Sequence, residues 1–180
     1  MKKSIITILC LIFLISFIYA GINDDLINGA TQGDIETVIN ALNNGANINI
    51  RDNDGCTALM YALIKGHIEI AKLLILKGAN VNVKDNEGET ALMYASLHGR
   101  AEIIRLLIKA RADVNTSDND GYTALILASR YGDTKIVKLL IQSGANVNAR
   151  TNSGSTALIQ ASNKGHTEIV ELLKQAGARE

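Results

Sequence analysis

The tripeptide Thr-Ala-Leu occurs four times, starting at Thr57, Thr90, Thr123 and Thr156, each 33 residues after the last. One glycine series keeps the same interval at Gly55, Gly88, Gly121 and Gly154. A second runs Gly33, Gly66, Gly99, Gly132 and Gly165. A third runs Gly45, Gly78, Gly144 and Gly177, with Arg111 standing in its middle place. Self-similarity at such a period builds a stacked array, because one short unit cannot bury its own apolar face. The aromatic content agrees. Outside the first twenty residues only Tyr61, Tyr94, Tyr122 and Tyr131 are aromatic, too few for a conventional large core. Ala, Leu and Ile suffice when each unit packs only on its neighbours.

Each unit reads as two helices and a turn. The hydroxyl of Thr57 is placed to cap a helix over Ala58 to about Lys65, ended by a left-handed Gly66. A second helix starts near Ile68, shows Ile70, Leu73 and Leu74 on one face, and ends before Gly78. The stretch Ala79 to Gly88 then reads as extended chain with a turn. The fold class is therefore all-α, a solenoid of about five helix-turn-helix units with connecting β-hairpin loops. The units fall near 22–50, 51–83, 84–116, 117–149 and 150–180, within one domain over 21–180. The first and last units are expected to act as polar caps. Thr37 and Asn40 replace the later Ile and Leu, and Glu171, Lys174, Gln175, Arg179 and Glu180 close the other end.

Residues 1–20 are a different kind of sequence. Lys2 and Lys3 precede an apolar run from Ile5 to Tyr19, which ends at Ala20-Gly21. Positive start, apolar stretch and small residue are the parts of a secretory signal, with cleavage after Ala20. The expectation is a periplasmic or secreted protein, monomeric, with no membrane association once the signal is removed. The alternative is an uncleaved anchor, since Ser4–Ile22 as a helix would reach about 28 Å, barely a bilayer core. That alternative makes the chain a membrane-tethered scaffold. Cys10 leaves with the signal, so Cys56 then has no intramolecular partner and reads as a tolerated surface thiol.

Net charge is 0, from 18 basic and 18 acidic residues, and losing Lys2 and Lys3 makes it negative. With few aromatic rings for base stacking, nucleic acid is not an expected partner. His67, His98 and His166 recur with the repeat and do not converge on a cleft, so no catalytic residue, cofactor or metal site is assigned. Asp52-Asn53-Asp54-Gly55 and Asp118-Asn119-Asp120-Gly121 look like pieces of a calcium loop. The first ligand of that loop would fall on Ile50 and Thr116, so turn chemistry accounts for them better.

Segments such as GCTALMYALIKGHIEIAKLLILKGANVNV and GYTALILASRYGDTKIVKLLIQSGANVNA resemble ankyrin repeats, over about Asp24 to Ala178. Two departures stand out. The family's proline is Ala58, Ala91, Ala124 and Ala157 here, and its histidine is Met60, Met93, Ile126 and Ile159. At the left-handed position the family fills with glycine stands Arg111. The resemblance gives His67 and His166 a structural role. It also implies a non-catalytic module that binds a protein partner through hairpin tips and inner-helix ends; a grafted ligand-binding or enzymatic site is the remote alternative. The tips include Asn53, Asn86, Asn119 and Asn152, with Asp54, Glu87, Glu89, Asp120 and Tyr122. The helix ends include His98, Arg130, Tyr131 and Lys164. Tyr122, Arg130 and Tyr131 are the expected centre, because Tyr and Arg combine large contact area with a polar handle.

Overall fold

The computed structural model describes residues 21–179. Residues 1–20, on which the signal, the anchor and Cys10 depend, lie outside that range. The described part of helix α1 is residues 21–32, and α2 is Ile35–Asn43. The next unit holds α3 (Ala58–Lys65) and α4 (Ile68–Leu76). Then come α5 (Ala91–Leu97), α6 (Ala101–Lys109), α7 (Ala124–Tyr131) and α8 (Thr134–Gln142). The last unit holds α9 (Ala157–Asn163) and α10 (Thr167–Gln175). Inner helices pack in a row, α3 on α5, α5 on α7, α7 on α9. Outer helices form a second row, α2, α4, α6, α8 and α10. The architecture is an all-helical solenoid.

Local chemistry explains where each inner helix starts. The Oγ1 of Thr57, Thr90, Thr123 and Thr156 accepts the backbone N–H three residues on, at 3.2–3.4 Å. The connecting loops are tight turns with little strand character. Only single antiparallel bridges close them, Lys84 with Thr90 and Ser117 with Thr123, and no strand occurs among the described residues.

The core is the line of contact between the rows. Leu59, Leu63, Leu74, Leu92, Ile104, Leu107, Leu125 and Leu140 are all fully buried. Each contributes roughly 1.5–3 kcal/mol by leaving water. Met60, Met93 and Ile126, which replace the family's histidine, are all buried; Met93 and Ile126 join the continuous core, and Met60 Sδ accepts the Thr57 N–H at 3.4 Å. Arg111 has φ 66°, and it is the one non-glycine residue with positive φ among the described residues. Its counterparts Gly45, Gly78, Gly144 and Gly177 have φ 86–90°.

The expected polar cap holds for only half of the last unit. Glu171, Lys174 and Gln175 on α10 are exposed. On the open face, however, Ile159 and Val170 remain half-buried, whereas Ile126 and Val137 one unit earlier are fully buried. They line a shallow pocket of about 330 Å³ with Leu158, Ser162, Asn163 and Lys174. Sequence reading weighted the charged outer helix and overlooked that α9 keeps the apolar stripe of its predecessors.

Candidate interaction surface

The hairpin tips are held in register by an asparagine ladder. The Nδ2 of Asn86 donates to the Asn53 carbonyl at 2.8 Å, that of Asn119 to Asn86 at 2.9 Å, and that of Asn152 to Asn119 at 2.9 Å. The backbone N–H of the same three residues donates to the carbonyls of Asp54, Glu87 and Asp120, at 2.8–2.9 Å. The amide groups of Asn86, Asn119 and Asn152 are therefore committed to the scaffold, a role their placement among the tip residues did not include. Their invariance at a 33-residue interval was the available signal, because a reading position is expected to vary.

A second ladder runs behind the first. In the recurring Gly-Ala-Asn-Val-Asn ending, the first Asn folds onto its own turn and the second reaches the next unit. Asn80 Oδ1 accepts from the Asn82 N–H at 3.0 Å, and Asn82 Oδ1 accepts from the Asp113 N–H at 2.8 Å. The Nδ2 of Asn82 also donates to the Arg111 carbonyl at 3.1 Å, as Asn115 does to Gly144. Arg111 takes part in this bond through its main-chain carbonyl alone.

The two Asp-Asn-Asp-Gly runs and the Asp85-Asn86-Glu87-Gly88 run between them are turns, and their leading carboxylates are occupied. Asp52 Oδ1 accepts from the N–H of Asp54 and Cys56, Asp85 Oδ1 from Glu87 and Glu89, and Asp118 Oδ1 from Asp120 and Tyr122. The other oxygen of Asp52 accepts the Tyr61 hydroxyl, and that of Asp85 accepts the Tyr94 hydroxyl at 2.6 Å. Both bonds push the phenols' pKa up, with burial leading for Tyr94 and the bond itself leading for Tyr61. The Asp–Tyr spacing of nine residues, present twice, was a legible sign of this pairing. Among the described residues no three His, Cys, Asp or Glu side chains are grouped to hold a metal ion.

Cys56 departs from the surface thiol expected of it. It is 7% exposed, with Sγ 3.9 Å from Asp85 Oδ2. Burial, then the negative charges of Asp85, Asp52 and Asp54, push its pKa up to about 11. The thiol is protonated at neutral pH and shielded from reagents.

The remaining positions divide clearly. Asp54, Glu87 and Asp120 are exposed, one per unit, and the ladder through their own carbonyls holds their backbones in register. Glu89 is half-buried beside Tyr94. Burial first, then Asp85, Asp118 and Glu87, raise its pKa, against a lowering by the Tyr94 phenol. Tyr122 is half-buried too. His98 and Lys164 are exposed at the ends of α5 and α9. Tyr131 is 56% exposed at the end of α7, and the Arg130 guanidinium lies 5.9 Å from the centre of its ring. His67 and His166 are structural. Their Nε2 atoms donate to the carbonyls of Thr31 and Arg130 at 3.2 Å, and their rings lie so close over Gly33 and Gly132 that a Cβ there would clash.

Two outward-facing sets thus flank the inner row, acidic tips at one margin and helix ends at the other. An inner helix of eight residues separates them by about 12 Å. No helix among the described residues is long and apolar enough to cross a membrane.

A family model described as ankyrin repeats in three copies matches residues 26–118 and 110–179. Among curated proteins, an acyl-CoA-binding domain-containing protein 2 from Arabidopsis thaliana is 41% identical over 51 residues. That match spans 28% of this chain and 14% of the relative, so the likeness covers a small part of the longer protein.

Proposed function

Because this chain belongs to the ankyrin-repeat family, whose repeats are protein-interaction modules, we propose that it is an exported, non-catalytic module that binds a protein partner. It grips that partner between the acidic tips and the inner-helix ends, centred on the unit of α7 and α8. The observation that carries this reading is the Arg130–Tyr131 pair. A tyrosine left more than half exposed on a rigid helix, with a guanidinium over its ring, is pre-organised contact area of the kind that concentrates binding energy. Asp54, Glu87 and Asp120 favour a basic patch on the partner and make its association rate fall with salt. Export rests on the leader alone.

Affinity capture from an envelope extract of the native cell would identify the partner. Tyr131→Ala and Arg130→Ala are each expected to weaken that capture by about 1–2 kcal/mol with melting temperature unchanged. Loss of stability with unchanged affinity per folded molecule would move the reading surface elsewhere. N-terminal sequencing of the exported protein is expected to start at Gly21. Met1 retained on membrane-bound protein would favour the tethered scaffold.

A further inference from the structure

The outward face of the first two outer helices differs from the rest of the array. Ile39 occupies the position held in later units by Lys72, Arg105, Lys138 and Glu171. Leu76 occupies that of Asn43, Lys109, Gln142 and Gln175. Ile35 and Ile39 are each 39% exposed, and Leu76 is 77% exposed. With the half-buried Leu42 and Leu73 they make an apolar strip across α2 and α4. Ile39, Leu42 and Leu73 of that strip line a groove of about 310 Å³, with Asn43 and Lys77 completing its wall. Two other grooves between outer helices are bridged by ion pairs. Lys72 spans α4 and α6 to Glu102 at 3.0 Å, and Lys138 spans α8 and α10 to Glu168 at 3.0 Å. Ile39 takes the place of that lysine. Glu69, which such a lysine would meet, turns to Lys72 of its own helix at 3.1 Å.

The charges around the strip are ordered. Glu36 and Glu69 lie in the first turns of α2 and α4, and Lys77 follows the end of α4. The two helices run in the same direction, as equivalent elements of successive units. A face that is acidic at one end, basic at the other and apolar between is complementary to itself under a two-fold rotation. Glu36 of one copy then meets Lys77 of the other, and the helix dipoles oppose favourably. The same carboxylates would repel an anionic bilayer, so a lipid surface fits less well.

We infer that the α2–α4 face docks a second copy of this chain as a two-fold dimer, in contrast to the monomer expected from sequence. The dimer leaves tips and inner-helix ends uncovered, so it is independent of the partner-binding reading. Sedimentation equilibrium on the chain as isolated from expressing cells, from micromolar to near-millimolar concentration, tests this. The wild type is expected to reach twice the protomer mass. Ile39→Lys with Leu76→Lys is expected to stay monomeric, with helicity and melting unchanged. Lysine is already native at the equivalent positions Lys72 and Lys109, so this variant is compatible with the fold. Glu36→Lys alone should weaken association at least tenfold, and adding Lys77→Glu should restore it. A wild type that stays monomeric throughout, or a double variant that still dimerises, overturns the inference. A monomer that sediments with lipid vesicles, and loses that in the double variant, also overturns it and gives the strip to the membrane.

Discussion

Units 84–116 and 117–149 share one backbone plan and use their tyrosines in opposite ways. In the first, Tyr94 turns inward, its hydroxyl donating to Asp85 at the base of the hairpin, with Glu89 beside it. In the second, the equivalents of Glu89 and Tyr94 are Tyr122 and Leu127. Asp118 keeps its two backbone N–H donors but has no phenol at that position, and the exposed aromatic moves to the helix end as Tyr131. One residue type thus stabilises the scaffold in one unit and is displayed in the next. Register within the unit decides which. A phenol nine residues after the turn aspartate lands on that aspartate, whereas four residues further along the helix it faces solvent.

The contrast breaks most visibly at Tyr94. Tyr94→Phe leaves one oxygen of the buried Asp85 without its hydroxyl donor, an expected cost of about 1.5–3 kcal/mol in chemical denaturation. Tyr131→Phe should leave the same transition unmoved, and equal losses at both sites would erase the distinction.

A smaller effect is expected where the two units close. Arg111 adopts φ 66° where Gly144 ends the next unit. Its bond from Asn82 uses only the carbonyl, so Arg111→Gly retains it while removing the Cβ strain. The variant should gain about 1 kcal/mol, read as a higher denaturation midpoint. An unmoved or lower midpoint would show that the guanidinium contributes contacts of its own.

The smallest effect concerns Glu89 against Tyr122. The folded state holds Glu89 above the ordinary 4.5, so it binds that proton more readily than the unfolded chain. Stability therefore falls as pH rises from the ordinary carboxylate range through the raised value, and the penalty is complete at neutral pH. Glu89→Gln should melt slightly higher than wild type at neutral pH, and the two curves should converge in acid. Curves that stay parallel would assign the difference to packing rather than charge.

Much of the architecture was legible because the signals are local. Thr57 and its repeats cap helices through atoms three residues away, and Gly66 and Gly132 close them with positive φ. Arg111 could be identified as left-handed from its place in a glycine series. The surface was less legible. Asn86 and Asp54 are both polar tip residues, yet the side chain of one is consumed by the neighbouring unit while that of the other is exposed. Only the asparagine amide can donate to a carbonyl, but its acceptor lies 33 residues away, so the local sequence does not show that the bond is made.

Period, helix limits, turn chemistry and the left-handed residue were therefore determined by the sequence itself, because steric and hydrogen-bond rules within a few residues settle them. The tertiary structure decided which groups lose water when units stack. It buried Cys56 against the next unit's Asp85, placed His67 over Gly33, and left Ile159 and Val170 open at one end of the array and Ile39 and Leu76 outward near the other. Exposure is set by partners about 30 residues distant, and only the stacked array brings those partners within contact.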